Sequence, residues 1–377
     1  MSEPLWDPVF GRTAVVAATD SRSWLRALCD VEAALAVACA RTGLITAADA
    51  EAVVAASIKV AESNPDDIGQ AAVAGGNPVI PLVAALREQA GSAHGAVHFG
   101  ATSQDVLDTA SMLTARRACE LLVDAVAEAA DAAANLARAH RDDVITGRTL
   151  LQGAVPTTFG AVAAGWGEGL DGAARGLGVA RAELAVQLGG AAGTLASWHP
   201  HGPAVRAAFA TEIGLCDPGV VWHTERSRIA ALAAALGGTC GVIAKVALDV
   251  VLLAQSEVGE VSEAAPGGSS AMAHKRNPIA AVTARGGAIQ APGLVATLLT
   301  AMPAELQRGA GPWHAEWPAL TALLRTTGGA ARRLADSLGG LRVDAAAMAS
   351  NLERLPGDLD VGHAGDIVDH FLAGRPS

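Results

Sequence analysis

The sequence predicts an all-α fold, a bundle of unusually long helices forming a core shared between subunits. Three observations predict it. Gln104–Asp143 contains neither glycine nor proline, has leucine and valine every three or four residues, and reads as one very long helix. Glu225–Ala265 is a further long run, interrupted only by glycine. Hydrophobic residues make up 51% of the 377-residue chain, charged ones 17% and aromatic ones 3%, with no Tyr, so the core is built from Ala, Val and Leu and its helices can pack closely. Helices of this length exceed the ordinary mean of about 11–12 residues and suit a bundle completed by other copies.

The elements follow in order. Residues 1–103 form an N-terminal helical domain. Trp24–Gly43 has apolar residues at helical spacing, with Asp30 and Glu32 on the other side, and Gly43 stops it. Ala47–Glu62 is a second helix, ended by Asn64-Pro65, and Pro81–Gln89 a short one after the Gly75-Gly76-Asn77-Pro78 turn. Residues 104–338 are the central bundle, whose first helix takes its cap from Thr102 or Ser103. Arg148–Gly160 reads as a turn, Ala161–Leu188 as a long helix weakened by glycine, and Gly189–Pro203 as a loop. After Glu225–Ala265 the bundle continues through Ile279–Thr300 and Ala315–Leu338, and 339–377 is a short helical tail. No stretch alternates as a strand does, and no internal repeat is present.

The bulk numbers exclude several classes. A net charge of −11, with no basic stripe interleaved with aromatics, argues against nucleic acid. Five scattered cysteines without a Cys-x-x-Cys read as buried residues of a reducing, cytoplasmic compartment. The N-terminus lacks a basic region followed by an apolar run, and the uncharged runs Thr149–Gly167 and Gly286–Ala304 are interrupted by glycine and proline, so no membrane partner is expected. His199-Pro200-His201 lacks the spacing and the carboxylates of a metal site, and no phosphate-cradling glycine motif occurs, so neither metal nor cofactor is expected.

Pro266–Pro278 concentrates the chemistry. Two glycines open it and proline closes it; Ser269, Ser270, Lys275 and Asn277 can all donate to an anion, and His274, Lys275, Arg276 and Arg285 make a local basic cluster in an acidic protein. A flexible cationic loop between apolar helices suits work on a carboxylate.

Gly268-Ser269-Ser270-Ala271-Met272-Ala273-His274-Lys275-Arg276-Asn277-Pro278 resembles the mobile loop of the fumarase/aspartase superfamily, with Ala273 where proline is usual. Three more segments agree: His98-x-Gly-x-Thr102-Ser103-x-Asp105, Gly147-Arg148-Thr149-Leu150-Leu151-Gln152 with Pro156, and Arg226-Ser227-Arg228. The resemblance implies a fumarase/aspartase-type bundle, a homotetramer and active sites built from several subunits around a small polycarboxylate. It assigns Ser269, Lys275 and Asn277 to catalysis: the serine moves a proton on carbon, and lysine and asparagine stabilise the dianionic aci-carboxylate. It assigns His98, Thr102, Ser103, Arg148, Thr149, Gln152, Arg226, Ser270, Met272 and Arg308 to substrate binding.

The departures narrow the reaction. Where many members carry a histidine paired with a glutamate, this chain has Leu150 and Val282. That pair protonates a basic leaving group; its loss implies a leaving group that departs as an anion. The resemblance is nearest to the carboxymuconate cycloisomerase branch, through Gly76–Val83, Trp222-His223-Thr224 and Trp313–Trp317, although Glu225 and Ser227 stand where Gln and Asp are expected and the C-terminal domain is short. It implies closure of a carboxymuconate to a γ-lactone in aromatic catabolism, with Ser269 giving the proton. The alternatives are a lyase releasing nitrite from a nitrosuccinate, below it an adenylosuccinate-type lyase, and a non-catalytic scaffold, against which the intact Ser-Lys-Asn set argues.

Overall fold

The computed structural model describes residues 5–11, 13–354 and 360–375. Five helices come first: α1 (Ala14–Ala18), α2 (Ser21–Arg41), α3 (Ala47–Ala61), α4 (Pro65–Ala72) and α5 (Val79–Ala90). The bundle follows: α6 (Ser103–Ala139), the hairpin β1 (Val144–Thr149) and β2 (Gln152–Thr158), α7 (Phe159–Ala182), α8 (Gly202–Ile213), α9 (Ser227–Leu253) and β3 (Val261–Glu263). Then come α10 (Ile279–Ala288), α11 (Ala291–Thr300), α12 (Pro312–Gly339), β4 (Leu341–Val343), α13 (Ala345–Leu352) and α14 (Ala364–Ala373).

Local chemistry starts these helices where they start. Asp20 caps α2 by accepting from Ser23 N, Thr46 caps α3, Asn64 caps α4 with Pro65 in its first turn, and Thr158 caps α7. The core of α6 is a stripe of small side chains, with Ala115, Ala118, Ala129, Ala130 and Ala133 fully buried. That closeness lets α6, α7, α9 and α12 share one apolar interior. A second interior joins α2, α3 and α5 to the first turns of α6 and to Trp198, Phe209 and Trp313.

One buried cation sets the register of the bundle. Arg226, at the head of α9, donates from Nη1 to Asp108 Oδ2 of α6 at 2.8 Å and from Nε to Glu316 Oε1 of α12 at 2.9 Å, with second bonds to each carboxylate from Nη2. Farther along, Arg332 of α12 meets Glu128 of α6 at 2.8 Å. The pairs show α6, α9 and α12 running parallel from a common end. Trp166 near the start of α7 donates to Asp249 near the end of α9 at 2.7 Å, so α7 runs back.

The structure corrects several sequence expectations. The helix expected over Glu225–Ala265 ends at Leu253: Gly259 turns the chain at φ +65°, its N–H bonds Gln255 O, and Glu260 leaves the helix path for an ion pair with Arg148. The helix expected over Ala161–Leu188 ends at Ala182, because the chain extends to bridge Ala185 to Cys216 and to bury Gln187. Ile279–Thr300 is two helices, split where Pro292 cannot continue the hydrogen-bond ladder. The expected turn at Arg148–Gly160 belongs to a β-hairpin, and the three-residue strands β3 and β4 pair across a long sequence gap. The most apolar long helix is α9, not either run singled out for membrane length. Glu32, assigned to the outer face of its helix, is 1% exposed.

Burial opposes the charge of Arg226, but Asp108 and then Glu316 outweigh it; burial likewise raises Glu316 above the usual carboxylate range against the pull of Arg226. Arg226→Leu should therefore cost about 3–5 kcal/mol in urea unfolding, because two buried carboxylates lose their counter-charge. The deficit should shrink on acidification. Without the cation, the burial that already raises the Glu316 carboxyl is no longer opposed, so the folded state takes up a proton there first and regains stability as pH falls.

Candidate active site

Two clusters of sequence-predicted site residues occupy opposite ends of the bundle. At the head of α6, His98 sits half-buried at φ +59°. Its Nδ1 lies 2.6 Å from Glu32 Oε1 and its N–H donates to Glu32 Oε2 at 3.1 Å. Burial pulls against a charged His98, but the hydrogen bond and charge of Glu32, helped by Asp105, outweigh it and raise its pKa above the usual histidine value. Gly100 follows at φ +73°, where a Cβ would strike Ser197 and Trp198. Thr102 is the N-cap of α6 and Ser103 its first residue; both are half-buried.

Asp105, 1% exposed, organises this end. Its carboxylate accepts from Thr102 N at 3.0 Å, Gly189 N at 2.8 Å and Gly190 N at 2.9 Å, and lies 2.7 Å from His223 Nε2. Thus the 189–194 loop lies against the head of α6. Arg308 reaches the same loop, donating to Ala191 O at 3.0 Å. His98, Thr102, Ser103 and Arg308 are therefore gathered around one polar surface.

At the far end stand the hairpin tip and the Pro266–Pro278 loop. Thr149 pairs with Gln152 around a two-residue turn, Leu150-Leu151, at φ +51° and +64°. Asn-Gly usually fills such a turn, because left-handed backbone strains a side chain. These leucines are 96% and 71% exposed, and Thr149 and Gln152 are exposed beside them. The loop is closed at its neck: Gly267 N donates to Asn277 O at 2.8 Å and Asn277 N to Gly267 O at 2.9 Å. Asn277 Nδ2 also donates to Gly268 O at 3.2 Å. Ser269 Oγ accepts from Ala271 N at 3.3 Å and Met272 N at 3.2 Å. Ser270, Met272 and Lys275 are exposed, and so is Val282 in the first turn of α10.

Helix length measures the gap between the two ends. The 37 residues of α6 span about 55 Å and the 27 of α9 about 40 Å. Within one chain, Ser269, Lys275 and Asn277 do not meet His98, Thr102, Ser103 or Arg308.

Two predicted binders are occupied inside the chain. Arg226 is 3% exposed, with its fork divided between Asp108 and Glu316, so it is a structural cation rather than a substrate clamp. Arg148 forms a two-pronged pair with Glu260, both bonds 2.8 Å, and Asn351 Nδ2 donates to the same carboxylate; its guanidinium holds the hairpin to the stem of the 266–278 loop. A cavity of about 540 Å³ lies between α2, α4 and α12 and is lined by Trp24, Leu28, Ile68, Trp317 and Arg325, with none of the sequence-predicted site residues. Sequence reasoning missed Glu32 and the anchoring role of Asp105. The only local signal for either was Asp105 inside the Thr-Ser-x-Asp motif.

A lyase family model matches residues 7–293. The chain is 45% identical over 362 residues to a 3-carboxy-cis,cis-muconate cycloisomerase of Bradyrhizobium diazoefficiens, covering 94% of this chain and 80% of the relative. It is 41% identical over 375 residues to a nitrosuccinate lyase of Streptomyces davaonensis, covering 94% and 78%. Its fold superposes on the crystal structure of a 3-carboxy-cis,cis-muconate lactonizing enzyme from Pseudomonas putida with a TM-score of 0.88 at 37% identity, covering 93% of this chain and 80% of that one. A fumarate lyase from a Mesorhizobium species gives 0.89 at 28% identity, covering 97% and 99%.

Proposed function

The chain belongs to this lyase family, and from that premise we propose that it closes 3-carboxy-cis,cis-muconate to a carboxymuconolactone, without a cofactor, as a step of aromatic catabolism. The observation that carries the reading is the pairing of an intact Ser269-Lys275-Asn277 loop with apolar Leu150 and Val282. A substrate carboxylate is already ionised at neutral pH and needs no base to attack. One C–O bond forms at the carbon β to a second carboxylate, the double bond conjugated to that carboxylate opens, and charge moves onto it. Lys275 and Asn277 stabilise it there. Ser269 then gives its proton to the adjacent carbon, and the Ala271 and Met272 N–H groups directed at Oγ stabilise the alkoxide left behind. No second proton carrier is required. His98, Thr102, Ser103 and Arg308 hold the remaining carboxylates, helped by the free amides at the head of α6; Ser270 and Met272 from the loop and Thr149 and Gln152 from the hairpin complete the wall.

A site of this kind takes its parts from different copies. The separation of the two ends supports that assembly, as do the exposed leucines at the hairpin tip. Gly165 of α7 and Gly238 and Gly241 of α9 face open space, where a helix of another copy can approach closely. A homotetramer in the cytoplasm fits these surfaces and the five unpaired cysteines. A second reading, elimination of nitrite from a nitrosuccinate, is favoured by the 41% identity to the nitrosuccinate lyase and shares the absence of a proton carrier.

Purified protein should bleach the diene absorbance of carboxymuconate. Release of nitrite from nitrosuccinate without that bleaching would select the second reading. Ser269→Ala should lower kcat by about 10²–10⁴, as loss of a positioned acid does; a near-normal rate would assign the proton to another group. Mixing inactive Ser269→Ala and His98→Gln chains should restore activity in roughly a quarter of the sites of a randomly assembled oligomer, and no recovery would mean that one chain supplies both ends. Installing Leu150→His together with Val282→Glu should bring no gain in lactonisation.

A further inference from the structure

At the head of α6 one buried carboxylate is spent wholly on one residue. Glu32 projects from α2 with its side chain sealed from solvent, and its two oxygens take the ring Nδ1 of His98 at 2.6 Å and the main-chain N–H of the same residue at 3.1 Å. His98 is held at φ +59°, a conformation that costs a residue with a side chain. A buried carboxylate is also costly, and a buried ion pair contributes little net stability compared with apolar residues of the same size. Two costs therefore meet at one residue, and both act on where its imidazole points. With Nδ1 facing Glu32, the ring's other nitrogen is left with no hydrogen bond among the described residues, and 14% of the side chain reaches the surface. The charged groups facing the ring are Glu32 from α2, Asp105 from α6 and Arg87 from α5.

We propose that Glu32 is a positioning residue. By gripping the main-chain N–H and Nδ1 of His98 together, it fixes the left-handed turn and the proton arrangement that present Nε2–H to a substrate carboxylate. The substrate half of this statement rests on the function proposed above; the grip itself does not. The sign of the pH effect follows. Glu32 raises the pKa of His98 against burial and Arg87, so Nε2–H persists above the usual histidine range and is lost as pH rises through the raised value. In Glu32→Gln the anion is gone and burial dominates, which moves the titration below the free value of about 6.5.

The test reads the His98 ring by NMR of isotope-labelled histidine, with His98→Asn to assign its signal, beside pH profiles of kcat/KM on carboxymuconate. In wild type the ring should titrate above the free value. In Glu32→Gln it should titrate below it. The basic limb of kcat/KM should move down in pH, and at neutral pH kcat/KM should fall about 10- to 100-fold, mostly through KM, the range for a charge-assisted hydrogen bond. Acidification should recover part of that loss, and Glu32→Asp, which keeps the charge, should recover part at neutral pH; a merely structural defect would do neither. An unchanged ring titration in Glu32→Gln overturns the proposal. So does a wild-type ring that titrates below the free value, a measurement that stands even where Glu32→Gln does not fold. Should wild type turn over no carboxymuconate, the proposed function falls while the ring titration still decides the grip.

Discussion

The bundle depends on a cation without access to water. Arg226 lies between Asp108 and Glu316, so the heads of three long helices are tied by one guanidinium. Apolar packing alone specifies such a bundle poorly, because an alanine-rich helix can slide by a turn and still find small neighbours. A fork shared by two carboxylates cannot slide, since each misregistered arrangement leaves an unpaired buried charge. Gln104, Gln187 and Trp313 Nε1 also donate to Asp108, and this carries the constraint into the 184–190 segment and α12. The polar surface around His98 is built one helical turn from that tie, through Asp105.

How much was legible in the sequence depends on how local each cause is. α6 could be read almost to its ends, because freedom from breakers and the Thr102–Asp105 cap are local properties. α9 was overrun by twelve residues because its end is decided by Arg148, more than a hundred positions earlier, drawing Glu260 away. β3 and β4 are three residues each and hold only through one another, so no window contains their signal. The loop could be proposed as a chemical unit because Ser269 to Asn277 are neighbours in sequence. Arg226 was misjudged because its motif names the residue and not its partners at 108 and 316. Glu32 was misjudged because helical periodicity assigns a lone carboxylate outward, and only the fold brings His98 over it.

The same length that steadies the bundle separates its working parts. Helices of about 40 to 55 Å carry the polar surface around His98 and the 266–278 loop to opposite poles of each chain. Arg148 and Glu260 tie the hairpin to the loop's stem, so these two parts travel together as one unit offered outward. Glu263 anchors the loop's other end by accepting from Ala280 N, Ala281 N and Ser337 Oγ. The stretch between these anchors is therefore short and both its ends are held.

The leucine pair at the hairpin tip has a consequence for the life of a lone chain. A newly made copy carries two exposed leucines there on left-handed backbone, with nothing of its own to cover them. In the assembly proposed above, the fate of a lone copy turns on how soon it meets its like: abundant synthesis would lead quickly to shelter, whereas scarcity would leave the tip open to aggregation, chaperones and proteases.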